Sequence, residues 1–245
     1  MSIFYVKNNQ INNDKAMIIG EDVKHIKDVL RYKVGDSLDI CNENGEKYNT
    51  KIKSFEKDLI ALEIFGKSET TSEPSVNITL FQGLPKADKF ELIIQKCTEL
   101  GVSEFVPVIT DRVIVKLDEK TIEKKVERWN IIAKEAGKQS GRQKIPIVKK
   151  PIKLKNIIEN IQKYDILLLP YECEKEVTLK AVLRDNKEKY KNIAILIGPE
   201  GGFSEEEVSL FKFENVRKVS LGPRILRTET AGLATVAMLL YELDL

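Results

Sequence analysis

Two stretches of this sequence have no polar face. Ile166–Leu169 (ILLL) and Ile193–Ile197 (IAILI) are unbroken apolar runs, bounded by Asp165 and Pro170 and by Asn192 and Gly198. Successive side chains of a strand point to opposite faces, so a strand can be apolar throughout only where both faces are covered. That condition belongs to a parallel sheet lying between helices. The rest of the chain beyond residue 70 agrees, with VNITLFQGL, a helix expected from about Lys86 to Leu100, EFVPVI, a long helix, and then strands at IPIV, DILLLP, NIAILIG and VRKVSLG. In the long helix Ile122, Val126, Trp129, Ala133 and Ala136 recur at steps of four and three, so Trp129 is expected in the core and not as a base-stacking platform.

Upstream the period changes. SIFYV, SLDIC, KYNTKIKSF and LIALEIF read as short alternating strands, interrupted by one helix over Glu21–Arg31, with Asn44-Gly45 as a tight hairpin turn. This predicts a small β-barrel module. GKSETTSEPS, residues 66–75, has no apolar residue and reads as a linker, which divides the 245 residues into domains 1–70 and 71–245.

Several classes of function are excluded. One histidine, His25, cannot supply a zinc cluster or a two-histidine metalloprotease helix, and it lies among helically spaced Val23, Ile26, Val29 and Leu30, so no metal is expected and serine-hydrolase chemistry would rest on that one, structurally placed residue. Cys41, Cys97 and Cys173 are odd in number and far apart, as reduced thiols of a cytoplasmic protein would be. No run reaches the length of a membrane span, and MSIFYVKNNQ lacks a signal-peptide apolar region, so a cytoplasmic protein without a membrane partner is expected. The charge is uneven: Arg112–Lys155 carries fourteen basic and five acidic residues, while residues 1–70 carry eleven and twelve. Such an excess suits an anionic partner, or simply a solvated helix face.

Ligands of open parallel sheets bind beyond the carboxyl ends of the strands. After NIAILI comes Gly198-Pro199-Glu200-Gly201-Gly202-Phe203, then Ser204 and Glu207 in the spacing of a capping box. Neither the dinucleotide fingerprint nor a P-loop is present. After VRKVSL comes Gly222-Pro223-Arg224-Ile225-Leu226-Arg227-Thr228-Glu229, placing two of only eight arginines three positions apart ahead of the apolar helix AGLATVAMLLYEL. A planar bidentate donor does there what lysine cannot. A third cluster, Glu135 to Arg142 followed by Lys144, gathers cations, amides and a hydroxyl where the long helix stops at Gly141.

These segments carry a resemblance. GPEGGFSEEE and LGPRILRTETAGLATVAMLL, with QGLPKADKFELIIQKCTELGVSEFVPV, KEAGKQSGRQKIP and HIKDVLRYKVGD, resemble the bacterial small-subunit ribosomal RNA uridine N3-methyltransferase family of the SPOUT superfamily. The resemblance implies a SPOUT-type α/β fold, a trefoil-knotted and mainly parallel sheet with helices on both faces, plus a small N-terminal β-barrel of the PUA-like kind. It implies S-adenosylmethionine as cofactor, a homodimer, and small-subunit ribosomal RNA or the assembled small subunit as partner. Carried onto this chain, Gly198, Pro199, Glu200, Gly201, Gly202, Leu221, Gly222, Ile225 and Leu226 would hold the cofactor. Arg31, Lys86, Lys89, Gln139, Ser140, Arg142, Lys144 and Arg224 would face RNA, and Arg142, Arg227 and Glu229 would be catalytic, with Glu135 a second candidate base. Lys138 stands where relatives often carry an acid, so its role is open. The alternatives are an RNA-binding protein without catalysis, and a knotted methyltransferase of transfer RNA.

Overall fold

The computed structural model describes residues 3–112, 118–184 and 190–243. The chain forms two compact units, one running to Glu73 with Gly137–Ile145 added, the other made of Pro74–Ala136 and Pro146 onward. The linker expected at 66–75 is therefore ordered chain. Glu73 accepts hydrogen bonds from Arg142 and from the amides of Gln143 and Lys144, and Thr71 donates to Gln143, so the segment after the long helix is bound into the first unit. The sequence division at 70/71 assigns Gly137–Ile145 to the second domain.

The first unit contains β1 (Ile3–Tyr5), β2 (Ile11–Asn12), β3 (Lys15–Ile19), α1 (Glu21–Lys24), β4 (Ser37–Cys41), β5 (Lys47–Phe55) and β6 (Leu59–Lys67). Its six strands lie in the order β1-β4-β5-β6-β3-β2, curled around Phe4, Ile18, Ile26, Leu38, Ile40, Ile52, Ile60 and Leu62. Only the β1–β4 pairing is parallel. β3 was not among the expected strands: Ala16 and Ile18 face the core and Met17 and Ile19 face outward, so it lacks the polar outer row that marks alternation. The β4–β5 loop is longer than a two-residue turn and is built on Asn42, whose Oδ1 accepts from the amides of Asn44 and Glu46, while Gly45 takes φ 78°. The expected helix over Glu21–Arg31 widens to a π-turn over His25–Val29. That extra width rotates Val29 into solvent, 66% exposed, and leaves Leu30 against the core.

The second unit continues with β7 (Asn77–Gly83), α2 (Lys89–Leu100), β8 (Glu104–Ile109), α3 (Glu119–Ser140, whose last residues belong to the first unit), β9 (Ile147–Val148), β10 (Ile152–Lys153), α4 (Lys155–Ile158), β11 (Ile166–Pro170), α5 (Leu179–Arg184), β12 (Asn192–Ile197), α6 (Glu205–Ser209), β13 (Val216–Val219) and α7 (Thr228–Leu243). Its strands run β10-β8-β7-β12-β11-β13, with β9 on β8, and every pairing is parallel. Ile166 and Leu168 enter the core shared with α2, α3, α5 and α7, while Leu167 and Leu169 enter a second core with Ile157, Val208 and Phe211. Both faces are covered, as the unbroken apolar runs require. Trp129 is buried with its ring edge-on to Phe90 at 4.6 Å, a contact worth about 1 kcal/mol beyond its buried area. β11 lies between β12 and the edge strand β13, so the loops after β12 and β13 flank its carboxyl end.

Candidate active site

A cleft of about 440 Å³ opens at the carboxyl ends of β11, β12 and β13. Its wall is formed by Pro170–Glu172 and Glu174, by Ile197–Phe203, by Ser220–Thr228, and by Lys89 and Ala231, all within the second unit. The volume is that of a small-molecule site.

Both loops are shaped by backbone. Gly202 has φ 66°, and a Cβ there would lie 3.0 Å from Glu172 Oε1; at Gly198 it would lie 3.2 Å from the Phe203 ring and 3.3 Å from Gly202 Cα. Glycine lets the backbone take the positive φ at Gly202 and pack this closely at Gly198. Below the loop the expected capping box is present: Ser204 Oγ accepts from the Glu207 amide at 3.1 Å and Glu207 Oε2 accepts from the Ser204 amide at 2.9 Å. The other Glu207 oxygen accepts from the amide of Asp111, and Arg112 Nη1 donates to the Gly201 carbonyl at 2.6 Å, so the loop after β8 braces the glycine loop. The second loop turns at Gly222, φ 112°, and enters α7 at Thr228, which donates to the Gly198 carbonyl and ties the two loops together.

The charges of the wall balance. Lys89, Arg224 and Arg227 stand against Glu172, Glu174 and Glu200. Lys89 Nζ lies 2.8 Å from Glu200 and 3.6 Å from Glu229, and the Lys86 amide also donates to Glu200. Burial alone would raise the Glu200 carboxyl, but the Lys89 ammonium and the loop amides outweigh it and hold the group below the usual carboxylate range. The hydrogen bond that Lys89 donates to Glu200 pushes the ammonium upward in turn, so this pair stays ionised around neutrality. A wall of matched charges suits a zwitterionic ligand better than a polyphosphate. Among the described residues no cluster of His, Cys, Asp and Glu could hold a metal ion.

The structure brings together all nine residues assigned to the cofactor except that Glu200 gives part of its carboxylate to Lys89. Arg224 and Arg227 are exposed on the wall, and Ile225 is 88% exposed at the tip of its loop. Glu229 lies one step into α7 beside Lys89, with one carboxylate oxygen buried and lacking a hydrogen bond. Lys86 is exposed ahead of α2, and Lys89 joins the cleft instead of an outer RNA face. Glu135 is exposed on α3. Arg31 is exposed in the first unit with φ 56°. Gln139, Ser140, Arg142 and Lys144 also belong to the first unit.

Arg142 differs from expectation. It is 3% exposed, its Nε lies 3.0 Å from both Glu73 oxygens and its Nη2 lies 2.6 Å from Oε2, so the guanidinium expected to face RNA and take part in catalysis is spent on a carboxylate. Lys138 gains a role, an ion pair with Asp22 at 2.8 Å. Other residues of the site were not anticipated, among them Glu172 and Glu174 on the wall, Arg112 bracing the glycine loop, and the buried Gln82, the penultimate residue of β7.

Comparison with known proteins gives a consistent result. The RNA methyltransferase domain family matches residues 72–240 and the RNA methyltransferase PUA domain family matches residues 18–65. The curated ribosomal RNA small subunit methyltransferase E of Bacillus subtilis is 36% identical over 231 residues, covering 93% of this chain and 90% of its own. The protein of the same name from Aquifex aeolicus is 36% identical, covering 98% and 99%. Among solved structures, ribosomal RNA small subunit methyltransferase E from Neisseria gonorrhoeae bound to S-adenosyl methionine superposes with a TM-score of 0.85 at 29% identity, covering 98% of this chain and 97% of that one. A putative methyltransferase of Legionella pneumophila in complex with the same cofactor gives 0.83 at 30% identity, covering 98% and 96%.

Proposed function

The chain belongs to the RNA methyltransferase family, with its PUA domain, and from that premise we propose that it methylates N3 of a uridine in small-subunit ribosomal RNA. It is an S-adenosylmethionine-dependent enzyme of the SPOUT type. The observation that carries the reading is the cleft itself, walled by two glycine-bearing loops in which Gly202 and Gly222 take positive φ, and lined by matched charges.

When bound, the cofactor supplies an electrophilic methyl carbon on a sulfonium centre. The backbone of Gly198–Gly202 and Leu221–Leu226 orients it, and orientation provides much of the acceleration of such a transfer. The reacting uracil nitrogen must lose its proton, and the resulting charge spreads onto the two flanking carbonyl oxygens. Arg227, exposed on the wall, offers a fork to one of them and so favours the deprotonated base. Glu229 is the proposed base: it stands at the start of α7 next to the wall residue Thr228, with one carboxylate oxygen buried 3.6 Å from the Lys89 ammonium, so it would reach the substrate through its other oxygen. Base pairing masks N3, so the enzyme requires an unpaired or flipped uridine. The substrate is read as free RNA or as the assembled subunit, contacted by Arg31, Lys86, Gln139, Ser140, Lys144 and Arg224.

A homodimer is part of the proposal. Helix α7 buries Thr228, Gly232, Thr235, Val236 and Leu239 yet leaves Met238 45% and Tyr241 73% exposed, an apolar surface that a second copy would cover. Sedimentation at micromolar concentration decides it, since a monomer of 27.9 kDa contradicts it. No helix among the described residues is long and apolar enough to cross a membrane, and we place the enzyme in the cytoplasm with its RNA.

Transfer of tritiated methyl from the cofactor tests the assignment. Label in small-subunit RNA or particles supports it, label in transfer RNA moves the substrate, and binding without transfer to any RNA leaves a binding protein.

A further inference from the structure

We propose that Gln82 is the positioning residue of the cofactor cleft, its buried amide fixing the separation of the two loops from beneath. Gln82 is the penultimate residue of β7, is fully buried, and is not part of the cleft wall. Its Nε2 donates to Thr228 Oγ1 at 2.8 Å and to the Gly83 carbonyl at 3.1 Å, using both of its N–H groups. Thr228, having accepted from Gln82, donates its own proton to the Gly198 carbonyl. The hydroxyl can make both bonds only in this direction, so the amide sets the polarity of the relay. Thr228 and Gly198 both line the cleft, one on each loop.

The acceptor side of Gln82 tells why the amide is there. Oε1 is buried without a hydrogen-bond partner, and a Cβ on Gly232 of α7 would stand 3.4 Å from it. The reverse amide orientation would point that oxygen at the Gly83 carbonyl, so the orphan cannot be removed by a flip. A buried acceptor left unpaired is costly, and an aliphatic side chain of similar size would avoid it. A local rule broken in the floor of a site, with no gain to the core, is where function sets the residue. The gain here is the donor pair, and through Thr228 the fixed spacing of two loops between which a ligand must fit.

This inference rests on the cleft being the cofactor site, so cofactor binding by the wild type is measured first; if it is absent, that reading fails and this one with it. Calorimetric titration with S-adenosylmethionine then compares wild type, Gln82→Met, Thr228→Val, the double variant and Thr228→Ser, each as the full chain with its thermal melt. The expected result is a loss of about tenfold in affinity for each of the first two, the scale of one buried hydrogen bond. The double variant should be no weaker than the weaker single one, and Thr228→Ser should bind nearly as the wild type does. In turnover, the KM for the cofactor should rise while the KM for RNA stays put. Unchanged cofactor affinity in Gln82→Met, or losses that multiply in the double variant, would overturn the proposal, since a merely structural amide lowers the melt alone. Should Gln82→Met fail to fold, Thr228→Val cuts the same relay, and wild-type affinity there is equally contrary.

Discussion

Glu73 grips Arg142 on two nitrogens, Nη2 at 2.6 Å and Nε at 3.0 Å, although the two residues stand 69 positions apart. The Arg142 side chain is 3% exposed and that of Glu73 15%, so neither charge can fall back on water if the other is removed. Glu73→Ala should therefore cost about 3 kcal/mol of stability, read as a lower midpoint in denaturant. The pair also sets an acid limit. Burial alone would raise the Glu73 carboxyl, but the Arg142 guanidinium and two backbone amides hold it below the usual carboxylate range. A lowered carboxylate stabilises the fold above its unfolded value and loses that contribution as pH falls through the folded one. Wild-type stability should drop below pH about 4.5, the unperturbed carboxylate value, and the variant should lose less over the same range. Parallel curves would show that Glu73 is not the titrating group.

The three thiols should divide one against two. Cys41 and Cys97 are buried, and burial pushes both up to about 12, so neither offers thiolate at neutral pH. Cys173 is exposed beside the cleft residues Glu172 and Glu174. Intact mass after brief alkylation should show a single adduct on the folded protein and three after denaturation. Rapid double labelling of the native chain would contradict the burial of Cys41 or Cys97.

Gly202→Ala tests the glycine loop. A side chain at φ 66° costs about 1–2 kcal/mol, and its Cβ would press on Glu172 Oε1 from 3.0 Å. Cofactor affinity should fall by about tenfold, with the loss from the melt no larger than that strain. Affinity equal to wild type would remove this loop from the binding surface.

The basic stretch makes a separate claim about RNA. Lys149, Lys150, Lys153 and Lys155 are exposed. If each meets a phosphate, alanine at each should flatten the plot of log affinity against log salt by about 0.7 on single strands and leave cofactor affinity unaltered. An unchanged slope would return the stretch to being a solvated surface.

What could be read in the sequence was whatever depended on local pattern. The runs at Ile166–Leu169 and Ile193–Ile197 had to be covered on both faces, and the spacing around Trp129 had to face a core. The glycine loop and its capping box are likewise local, and they lie where the pattern put them. Features set by distant partners were not legible. The resemblance marks Arg142 as an RNA-facing and catalytic residue, but nothing nearby in the chain names Glu73 as its partner. The same holds for Thr71 with Gln143, which turn a polar linker into ordered chain. β3 went unseen because an outward Met17 and Ile19 erase the alternation, and Val29 was misplaced because a π-turn changes the period that defines a helical face.

The central claim is methyl transfer to uridine N3 of small-subunit RNA, and the most direct test is to map that RNA from cells with and without this protein. Mass spectrometry of nuclease fragments should show one uridine carrying a methyl group on its Watson–Crick edge in the parent and none in the deletion, with the modification restored by the wild-type chain and not by Arg227→Ala. Identical small-subunit RNA in both strains, or a methyl group lost from transfer RNA instead, would contradict the account.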